Sequence, residues 1–235
     1  MRKFIFDVDG TLTPSRQKMD EEFSNFFETF SKSYPVYLVT GSDKPKTIEQ
    51  IGEKIFNLAQ VSFNCAGNEV WIGKDLIYKN DWTPSSNLVE FLGDLLSKSS
   101  FAHKAGNHIE FRNGMINFSI VGRKCTYDQR QLYKLWDEDT SERKTLADIL
   151  RKEFTDIDIN IGGETGLDIF KKGDGKSQSI QKIRTSSDDV LQYFGDQIFP
   201  GGNDYDAAVL CDHYVQIKDW TETYERLIFI DELMK

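Results

Sequence analysis

The chain has 235 residues, of which 39% are hydrophobic and 29% charged, as in an ordinary soluble protein with one large domain or two modest ones. Its formal net charge of -9 argues against a nucleic-acid partner, because phosphate backbones attract basic surfaces. The cysteines Cys65, Cys125 and Cys211 fit neither a disulfide framework nor a metal cluster, and they favour a reducing cytoplasm. No apolar signal region precedes Asp7 and no stretch is apolar enough to span a bilayer, so we expect no membrane attachment.

The first predicted strand, Phe4–Phe6, leads into the acidic turn Asp7-Val8-Asp9-Gly10-Thr11. Residues two apart in an extended segment point to the same side, so Asp7 and Asp9 project together from the carboxyl end of a buried strand, where open α/β sheets bind ligands. Two carboxylates this close repel each other, and a bound Mg²⁺ relieves the repulsion. Such an ion attracts a phosphate, which leaves one Asp to attack phosphorus and the other to transfer a proton. An acidic turn that only caps the strand is the alternative for so short a motif.

Helices and strands alternate in the pattern that follows. A helix is predicted where four phenylalanines recur at helical spacing, at Phe23, Phe26, Phe27 and Phe30. The next patterns predict a strand at Pro35–Val39, a helix at Pro45–Leu58, a strand at Val61–Phe63, a turn at Asn64–Asn68 and a hairpin of Glu69–Ile72 with Asp75–Tyr78. This order predicts a parallel sheet at the start of an α/β domain.

Polar residues follow the second of these strands, in the segment Thr40-Gly41-Ser42-Asp43. At the start of a helix, the hydroxyls of Thr40 and Ser42 and the nearby backbone N–H groups are suited to hold a phosphate. Service as an ordinary helix cap is the alternative for Ser42 and Asp43.

The pattern changes near Asp81, where strands and helices of an α+β insert begin. The predicted elements are a helix opening at Trp82-Thr83-Pro84, strands at His108–Arg112 and Met115–Ile120 joined by the hairpin signal Asn113-Gly114, one polar helix over Thr126–Phe154, and strands at Ile157–Ile161 and Gly166–Phe170. Three arginines of this insert, Arg112, Arg123 and Arg130, carry guanidinium groups that can grip a phosphate in bidentate fashion. Ordinary surface salt bridges are the alternative for them.

Beyond the insert, a second set of polar residues follows predicted core elements. Lys176 begins a predicted helix, where it can neutralise a phosphoryl group or the Asp pair, or serve only as a capping or solvated lysine. The strand Val190–Phe194 ends in Gly195-Asp196, and the Gly-rich segment Pro200–Asp204 follows. Asp196 and Asp204 can complete an oxygen-rich cation site with Asp7. The segments Ala207–Leu210, His213–Ile217 and Leu227–Met234 are predicted to complete the core.

Taken together, these motifs resemble the haloacid-dehalogenase-like (HAD-like) phosphotransferase superfamily, with the insert similar to a type IIB cap. The segments Asp7–Lys18, Ile109–Cys125, Ile161–Gly163 with Asp168–Phe170, and Phe194–Tyr205 are similar to those of eukaryotic-type phosphomannomutases, and they span the chain from end to end. The resemblance implies a Rossmann-like parallel-sheet core at residues 1–80 and 172–235 and an α+β cap at 81–171.

The resemblance also implies roles for individual residues. In the core, it implies that Asp7 is the nucleophile that becomes an aspartyl phosphate and that Asp9 is the general acid/base, with its backbone carbonyl on Mg²⁺. The remaining core roles are a metal ligand at Asp196, support of the metal site by Asn203 and Asp204, and a hold on the transferring phosphoryl group by Thr40, Ser42 and Lys176. Sugar-phosphate binding falls to Arg16, Arg112, Arg123, Arg130 and Asp168, with the three cap arginines on the phosphate that is not transferred.

Two departures from the family pattern concern specificity. Gly166 stands where the family has a Ser, which removes one hydrogen bond to the sugar or its phosphate, and the loop 171–175 lacks the Pro and Trp typical of the family. Ala207–Leu210 replaces a more polar stretch that can build a second cation site.

The implied activity is interconversion of mannose 6-phosphate and mannose 1-phosphate through a hexose 1,6-bisphosphate activator, which feeds GDP-mannose synthesis. A homodimer formed through the cap is implied by the relatives. Two alternatives remain from the sequence: a Mg²⁺-dependent sugar-phosphate phosphatase of the same fold, and a catalytically silent sugar-phosphate-binding protein. The arginines of the cap favour the mutase, because a mutase must hold a phosphate distant from the chemistry.

Overall fold

A computed structural model describes residues 1–235 and contains two β-sheets with helices packed against them. The strands in chain order are β1 Arg2–Phe6, β2 Val36–Val39, β3 Val61–Asn64, β4 Glu69–Ile72, β5 Asp75–Lys79, β6 Ile109–Arg112, β7 Met115–Phe118, β8 Ile157–Gly162, β9 Gly166–Lys171, β10 Val190–Gly195 and β11 His213–Gln216. The helices are α1 Glu21–Ser33, α2 Lys44–Leu58, α3 Ser86–Lys98, α4 Tyr127–Thr140, α5 Glu142–Glu153, α6 Ser177–Ile183, α7 Tyr205–Ala208 and α8 Trp220–Met234.

Seven strands form the larger sheet, in the order β11-β10-β1-β2-β3-β4-β5. The strands from β11 to β3 are parallel, and the β4–β5 hairpin is antiparallel. Phe4, Ile5 and Phe6 of β1 are all fully buried, because apolar clusters cover both faces of the sheet. The α/β fold with a parallel-sheet core is therefore confirmed.

Alternation along β1 assigns its side chains to the two faces. Phe4 and Phe6 pack with the phenylalanines of α1, and Phe6 lies with its ring centroid 5.2 Å from that of Phe27. Ile5 belongs to the cluster on the other face, together with Tyr193 of β10 and Ile180 of α6. The predicted helix through the four phenylalanines is confirmed, and Asp20 caps it by accepting hydrogen bonds from the Glu22 and Phe23 N–H groups.

The smaller sheet is antiparallel throughout, in the order β6-β7-β9-β8. Its strands and helices α3, α4 and α5 enclose a second apolar cluster of 16 buried residues. The predicted hairpin at Asn113-Gly114 is confirmed, with Gly114 at a φ of 63°, where a residue without Cβ is favoured. The Cβ of any other residue at this position would lie 2.8 Å from side-chain atoms of Asn68 and Asn80, so this turn packs closely on the segment around β4.

The prediction of one helix over Thr126–Phe154 is wrong, since α4 and α5 are separate helices. They are divided at Ser141, whose φ of 52° and ψ of 38° lie in the left-handed region. The bend is held by Asp137, which accepts hydrogen bonds from both the backbone N–H and the Nε of Arg143 at 2.7 Å. Arg143 also donates to the Gly163 carbonyl, so the break directs α5 onto the β8–β9 turn.

Four other predictions need correction. In the predicted core segment Leu227–Met234, Leu227 is buried, but Leu233 and Met234 are exposed. Helix α3 begins at Ser86 rather than near Trp82, because Ser85 supplies the cap by accepting from the Leu88 N–H. Val209 and Leu210 are each 46% exposed, so only the alanines of the predicted core segment Ala207–Leu210 are buried. Strand β11 is an edge strand and leaves His213 and Tyr214 exposed. None of the helices has the length and apolar character needed to cross a membrane.

Candidate active site

A polar cavity of about 460 Å³ lies at the carboxyl ends of β1 and β2, where the smaller sheet meets the larger one. No hydrophobic side chain is among its 23 lining residues. Eleven residues singled out in the sequence line it: Asp7, Asp9, Arg16, Thr40, Ser42, Arg112, Arg123, Gly166, Asp168, Asp196 and Asn203. The other three, Arg130, Lys176 and Asp204, lie behind the lining. Its volume is within the range of small-molecule binding sites.

Asp7 and Lys176 form a buried ion pair directly behind the cavity. The Nζ atom of Lys176 lies 2.5 Å from Asp7 Oδ1 and 2.8 Å from Asp204 Oδ1. Burial raises the pKa of Asp7, and the ammonium of Lys176 opposes that rise. Burial alone would lower the pKa of Lys176, but Asp204 and Asp7 outweigh it and keep the ammonium charged. The alternatives of a capping or solvated lysine are therefore wrong for Lys176, whose side chain is only 2% exposed.

Asp7, Asp196 and Asp204 bring one carboxylate oxygen each to within 4.8 Å of one another. Burial and the charge of Asp204 raise the pKa of Asp196 to about 7. Asp196 approaches so closely because residue 10 is glycine, since a Cβ there would lie 2.7 Å from Asp196 Oδ2. Asn203 lines the same cavity with a buried Oδ1 atom that has no hydrogen-bond partner. Three clustered carboxylates with one ammonium beside them fit a hard divalent cation such as Mg²⁺.

Asp9 faces the cavity from the turn after β1, but its side chain lies outside the carboxylate cluster. Its Oδ1 atom accepts hydrogen bonds from the Arg16 N–H at 2.6 Å and from Gln50 Nε2 at 3.3 Å. These donors fix the orientation of the carboxylate while it remains at the cavity wall. Such an arrangement is suited to proton transfer rather than to metal binding by the side chain.

Thr40 and Ser42 both line the cavity at the end of β2. The Ser42 N–H donates to Thr40 Oγ1 at 3.1 Å, so the two residues form one small turn. Asp43 caps α2 by accepting from the Lys46 N–H, which confirms the capping alternative for Asp43 and leaves the Ser42 hydroxyl without that task.

Two of the three insert arginines line the cavity, and the third does not. Arg112 donates to the Gly41 carbonyl at 2.7 Å and to Glu110 at 2.6 Å, and Arg123 lies 2.6 Å from the same carboxylate. Arg130 lies 3.8 Å from the cavity-lining Glu164. The Nε atom of Arg123 is buried and has no hydrogen-bond partner, so this guanidinium still has a donor to offer.

Arg16 adds a further positive charge to the cavity, next to the insert arginines. Burial, followed by the nearby charge of Arg130, lowers the pKa of Arg16. Repulsion among these guanidinium groups is what a bound phosphate would relieve.

Asn117 and Glu110 also belong to the cavity lining, although the sequence analysis did not single them out. Asn117 Nδ2 donates to Asp168 Oδ1 at 2.7 Å, and burial raises the pKa of Asp168. A Cβ at Gly166 would lie 2.8 Å from Asn117 Nδ2, so the Asn117 side chain fills the space above Gly166. Both residues lie in short strands between apolar residues. A polar residue in such a strand is a sign of a functional position, and this sign was present in the sequence.

Comparison with known proteins connects this chain to one enzyme family. The family model for eukaryotic phosphomannomutase matches residues 23–216. The phosphomannomutase of Saccharomyces cerevisiae is 32% identical over 228 residues, which cover 92% of this chain and 90% of the yeast protein. The chain belongs to the eukaryotic phosphomannomutase family. The phosphomannomutase of Spinacia oleracea is 34% identical over 212 residues, covering 86% of this chain and 84% of that protein. That of Encephalitozoon cuniculi is 31% identical and covers 99% of this chain and 93% of the relative, so it includes the acidic turn that the family model leaves out.

Solved structures show the same fold at low sequence identity. The C-terminal domain of trehalose-6-phosphate phosphatase from C. albicans matches with a TM-score of 0.68 at 15% identity, covering 97% of this chain and 91% of that one. A sugar phosphatase of HAD subclass IIB matches with a TM-score of 0.61 at 14% identity, covering 98% of this chain and 99% of that one. These similarities show that this phosphomannomutase-family chain has the HAD-like fold.

Proposed function

We propose that the chain interconverts mannose 6-phosphate and mannose 1-phosphate by phosphoryl transfer through Asp7. The observation that carries this proposal is one cavity lined both by Asp7, which pairs with the buried Lys176, and by the guanidinium groups of Arg112 and Arg123 from the insert. Membership of the phosphomannomutase family supports it. A hexose 1,6-bisphosphate as activator follows from the chemistry, because Asp7 must receive a phosphoryl group before a monophosphate can accept one.

Asp7 is the proposed nucleophile, since its Oδ1 atom is fixed by Lys176 and its carboxylate borders the cavity. Lys176 offsets negative charge on the phosphoryl oxygens, and Thr40 and Ser42 face the same region. Asp9 gives a proton to the departing sugar oxygen and removes one from the attacking hydroxyl in the next transfer. A Mg²⁺ ion held by Asp7, Asp196 and the Asp9 carbonyl, with Asn203 and Asp204 in support, would supply Lewis-acid stabilisation of the transferring group.

The guanidinium groups of the cap are proposed to hold the phosphate that stays on the sugar. Arg112 and Arg123 meet at Glu110, whose carboxylate occupies part of their hydrogen-bonding capacity. A phosphate offers more acceptor oxygens and more charge than Glu110, so it competes well for these donors. Arg16 and Asp168 are proposed to orient the sugar ring between the two phosphate positions, with Gly166 beside them and Arg130 adding positive charge from behind the lining.

The smaller sheet is proposed to act as the cap of this enzyme. Strands β6–β9 all fall within residues 81–171 and form a sheet of their own, which supports a core of residues 1–80 and 172–235 with an inserted cap. A cap that closes would exclude water from the aspartyl phosphate and so favour transfer to a sugar. We also propose a homodimer formed through the cap and a cytoplasmic location, the latter supported by three free cysteines.

A coupled assay with mannose 1-phosphate tests the proposal. With Mg²⁺ and a hexose 1,6-bisphosphate, we expect mannose 6-phosphate to form without stoichiometric free phosphate. Free phosphate formed in proportion to the substrate consumed would show that the enzyme is a phosphatase and not a mutase. Tight ligand binding without either product would leave a sugar-phosphate-binding protein.

A further inference from the structure

Tyr193 lies in the middle of β10 and is fully buried, yet its hydroxyl reaches the catalytic cluster. The ring packs in the apolar cluster between the larger sheet and helices α6 and α7, beside Ile180 and Ala207. The hydroxyl lies 2.7 Å from Asp204 Oδ1 and donates its hydrogen to that carboxylate. A Phe would fill the apolar part of this space equally well, so the hydroxyl is the part of Tyr193 that needs a reason.

The carboxylate of Asp204 receives hydrogen bonds from three separate elements. Oδ1 accepts from Lys176 at 2.8 Å and from Tyr193 at 2.7 Å, and Oδ2 accepts from the backbone N–H of Gln197 at 3.1 Å. Lys176 stands at the start of α6, Tyr193 in β10 and Gln197 in the loop that follows. Donors from three directions leave the carboxylate one orientation.

Close packing at Gly195 reinforces this restraint. A Cβ at Gly195 would lie 2.7 Å from the Asp204 Cγ atom and 2.9 Å from the Tyr193 Cε1 atom. The side chains of Asp204 and Tyr193 therefore both pack against the backbone of Gly195, which has no side chain to keep them away. The Asp204 side chain cannot turn away from Tyr193 without moving the strand.

Lys176 divides its hydrogen bonds between Asp204 and Asp7, and this division depends on Tyr193. The Tyr193 hydroxyl satisfies part of the charge on Asp204 Oδ1, so Lys176 is not drawn fully to that side. Without the hydroxyl, Asp204 Oδ1 would carry more uncompensated charge, pull Lys176 away from Asp7 and lose one of the three donors that orient the carboxylate.

From these contacts we propose that Tyr193 is a positioning residue that orients Asp204, and thereby sets the place of Lys176 and the spacing of the carboxylate cluster for Mg²⁺. The catalytic part of this inference rests on the proposed mutase function, whereas the part about Mg²⁺ binding does not. Tyr193 itself touches neither substrate nor the reacting atoms, because it lies behind Asp204 and outside the cavity lining.

The variant Tyr193→Phe tests the role, with Tyr37→Phe as its matched control. Tyr37 lies in β2 and packs at the edge of the same apolar cluster. By calorimetry with MgCl₂, we expect Tyr193→Phe to raise the dissociation constant of Mg²⁺ roughly 10- to 150-fold, the range for loss of a hydrogen bond to a charged group. In the mutase assay we expect a kcat loss of similar size with KM for mannose 1-phosphate unchanged, since the cap arginines are untouched. Tyr37→Phe should match the wild type in both measurements.

The outcomes of the two measurements separate this inference from the proposed function. A wild-type protein that binds Mg²⁺ but lacks mutase activity would remove the proposed function, while the Mg²⁺ affinities of the two variants would still decide the role of Tyr193. Equal Mg²⁺ affinity and kcat in Tyr193→Phe and wild type would overturn the inference. A change in KM alone, or an equal loss in Tyr37→Phe, would overturn it as well.

A measurement on the wild type keeps the inference testable if Tyr193→Phe does not fold. By NMR, the Tyr193 hydroxyl proton should exchange slowly with water, and its resonance should move when MgCl₂ is added. Rapid exchange, or a resonance indifferent to Mg²⁺, would contradict a hydroxyl held on Asp204.

Discussion

The carboxylate of Asp196 shows how burial and charge prepare a single residue for a metal ion. Burial and the neighbouring Asp204 raise its pKa to about 7, so near neutral pH the metal-free site holds a proton that the metal must displace. Asp7, whose pKa burial also raises, contributes in the same direction. As the proposed Mg²⁺ site, the cluster would therefore release protons when it binds the cation.

This exchange predicts that Mg²⁺ affinity depends on pH. Below pH 7, a proton on Asp196 competes with the metal, and we expect the affinity to fall roughly tenfold or more for each unit of pH, as release of at least one proton requires. Above pH 7 the dependence should flatten. Titration calorimetry between pH 5.5 and 8 measures the Mg²⁺ affinity at each pH. If the affinity did not change over that range, the assignment of the cluster as the metal site would be contradicted.

Mg²⁺ affinity is expected to rise with pH, but the same raised pKa makes the stability of the metal-free protein fall as the pH rises. Folded Asp196 keeps its proton up to a pKa of about 7, whereas the unfolded chain has already lost it. The contribution of this group to stability is therefore complete at low pH and declines as the pH rises towards 7. Mg²⁺ should reverse the loss.

At Gly166, the departure from the family pattern has a physical explanation in this chain. The Asn117 amide lies where a side chain at position 166 would begin, at 2.8 Å from the expected Cβ, and it donates to Asp168. We predict that Gly166→Ser lowers the free energy of unfolding by about 1–3 kcal/mol, because the added atoms crowd Asn117. Thermal unfolding measures the loss. Gly93→Ser is the control, because a Cβ at Gly93 meets nothing within 4 Å; equal stability of Gly166→Ser and wild type would refute the packing explanation.

At the scale of elements, the local patterns of the sequence were sufficient for most helices and strands. The acidic turn after β1 was predictable because an apolar strand, two carboxylates and a glycine are all local signals. The break between α4 and α5 was not, because Ser141 adopts a left-handed conformation without a Gly or Pro to mark it. The break is held by hydrogen bonds that Arg143 donates to Asp137 and to the Gly163 carbonyl, and helical periodicity predicts neither of them.

This break predicts a stabilising substitution. A non-glycine residue in the left-handed region costs about 1–2 kcal/mol, and Ser141 makes no side-chain cap to offset it. We expect Ser141→Gly to raise the free energy of unfolding by about 0.5–1 kcal/mol without changing activity. Lys144→Gly, one turn into α5, should lower it by a similar amount. Denaturant unfolding compares the two, and a loss of stability in Ser141→Gly would show that the serine side chain stabilises the break.

The site residues that the sequence did not predict were missed for one reason, which is that their contacts depend on how the strands fold together. Tyr193 belongs to an apolar strand, and its hydroxyl finds Asp204 eleven residues later only because β10 and the following loop fold back on each other. Glu110 likewise meets Arg123 from the far side of a hairpin. Strand patterns predict which residues are buried, but not which polar atom each buried side chain reaches.

At the scale of the whole molecule, the proposed active site lies where the two sheets meet. Core carboxylates and insert arginines line one cavity, and Arg112 joins the two parts directly through the Gly41 carbonyl. The resemblance placed these residues in one enzyme, but their distances depend on how the insert lies over the core.

A cap arginine provides the test of this arrangement. We predict that Arg123→Ala raises KM for mannose 1-phosphate about 10-fold or more, the usual loss when a charge-assisted hydrogen bond to phosphate is removed. Thermal stability should change little, because Glu110, which pairs with Arg123, keeps its hydrogen bond from Arg112. Arg226→Ala, which removes an exposed pair with Glu222 on α8, is the control and should leave KM unchanged. An unaltered KM in Arg123→Ala would remove this residue from the phosphate site.

The fate of a labelled phosphoryl group shows whether Asp7 passes phosphate from a bisphosphate to a sugar. Protein, Mg²⁺ and unlabelled mannose 1-phosphate are mixed with radiolabelled hexose 1,6-bisphosphate, and the label is counted in protein, hexose phosphates and inorganic phosphate. We expect label to pass through the protein into hexose monophosphates, with none entering the Asp7→Asn variant. Label that accumulates as inorganic phosphate, or a labelled Asp7→Asn protein, would contradict it.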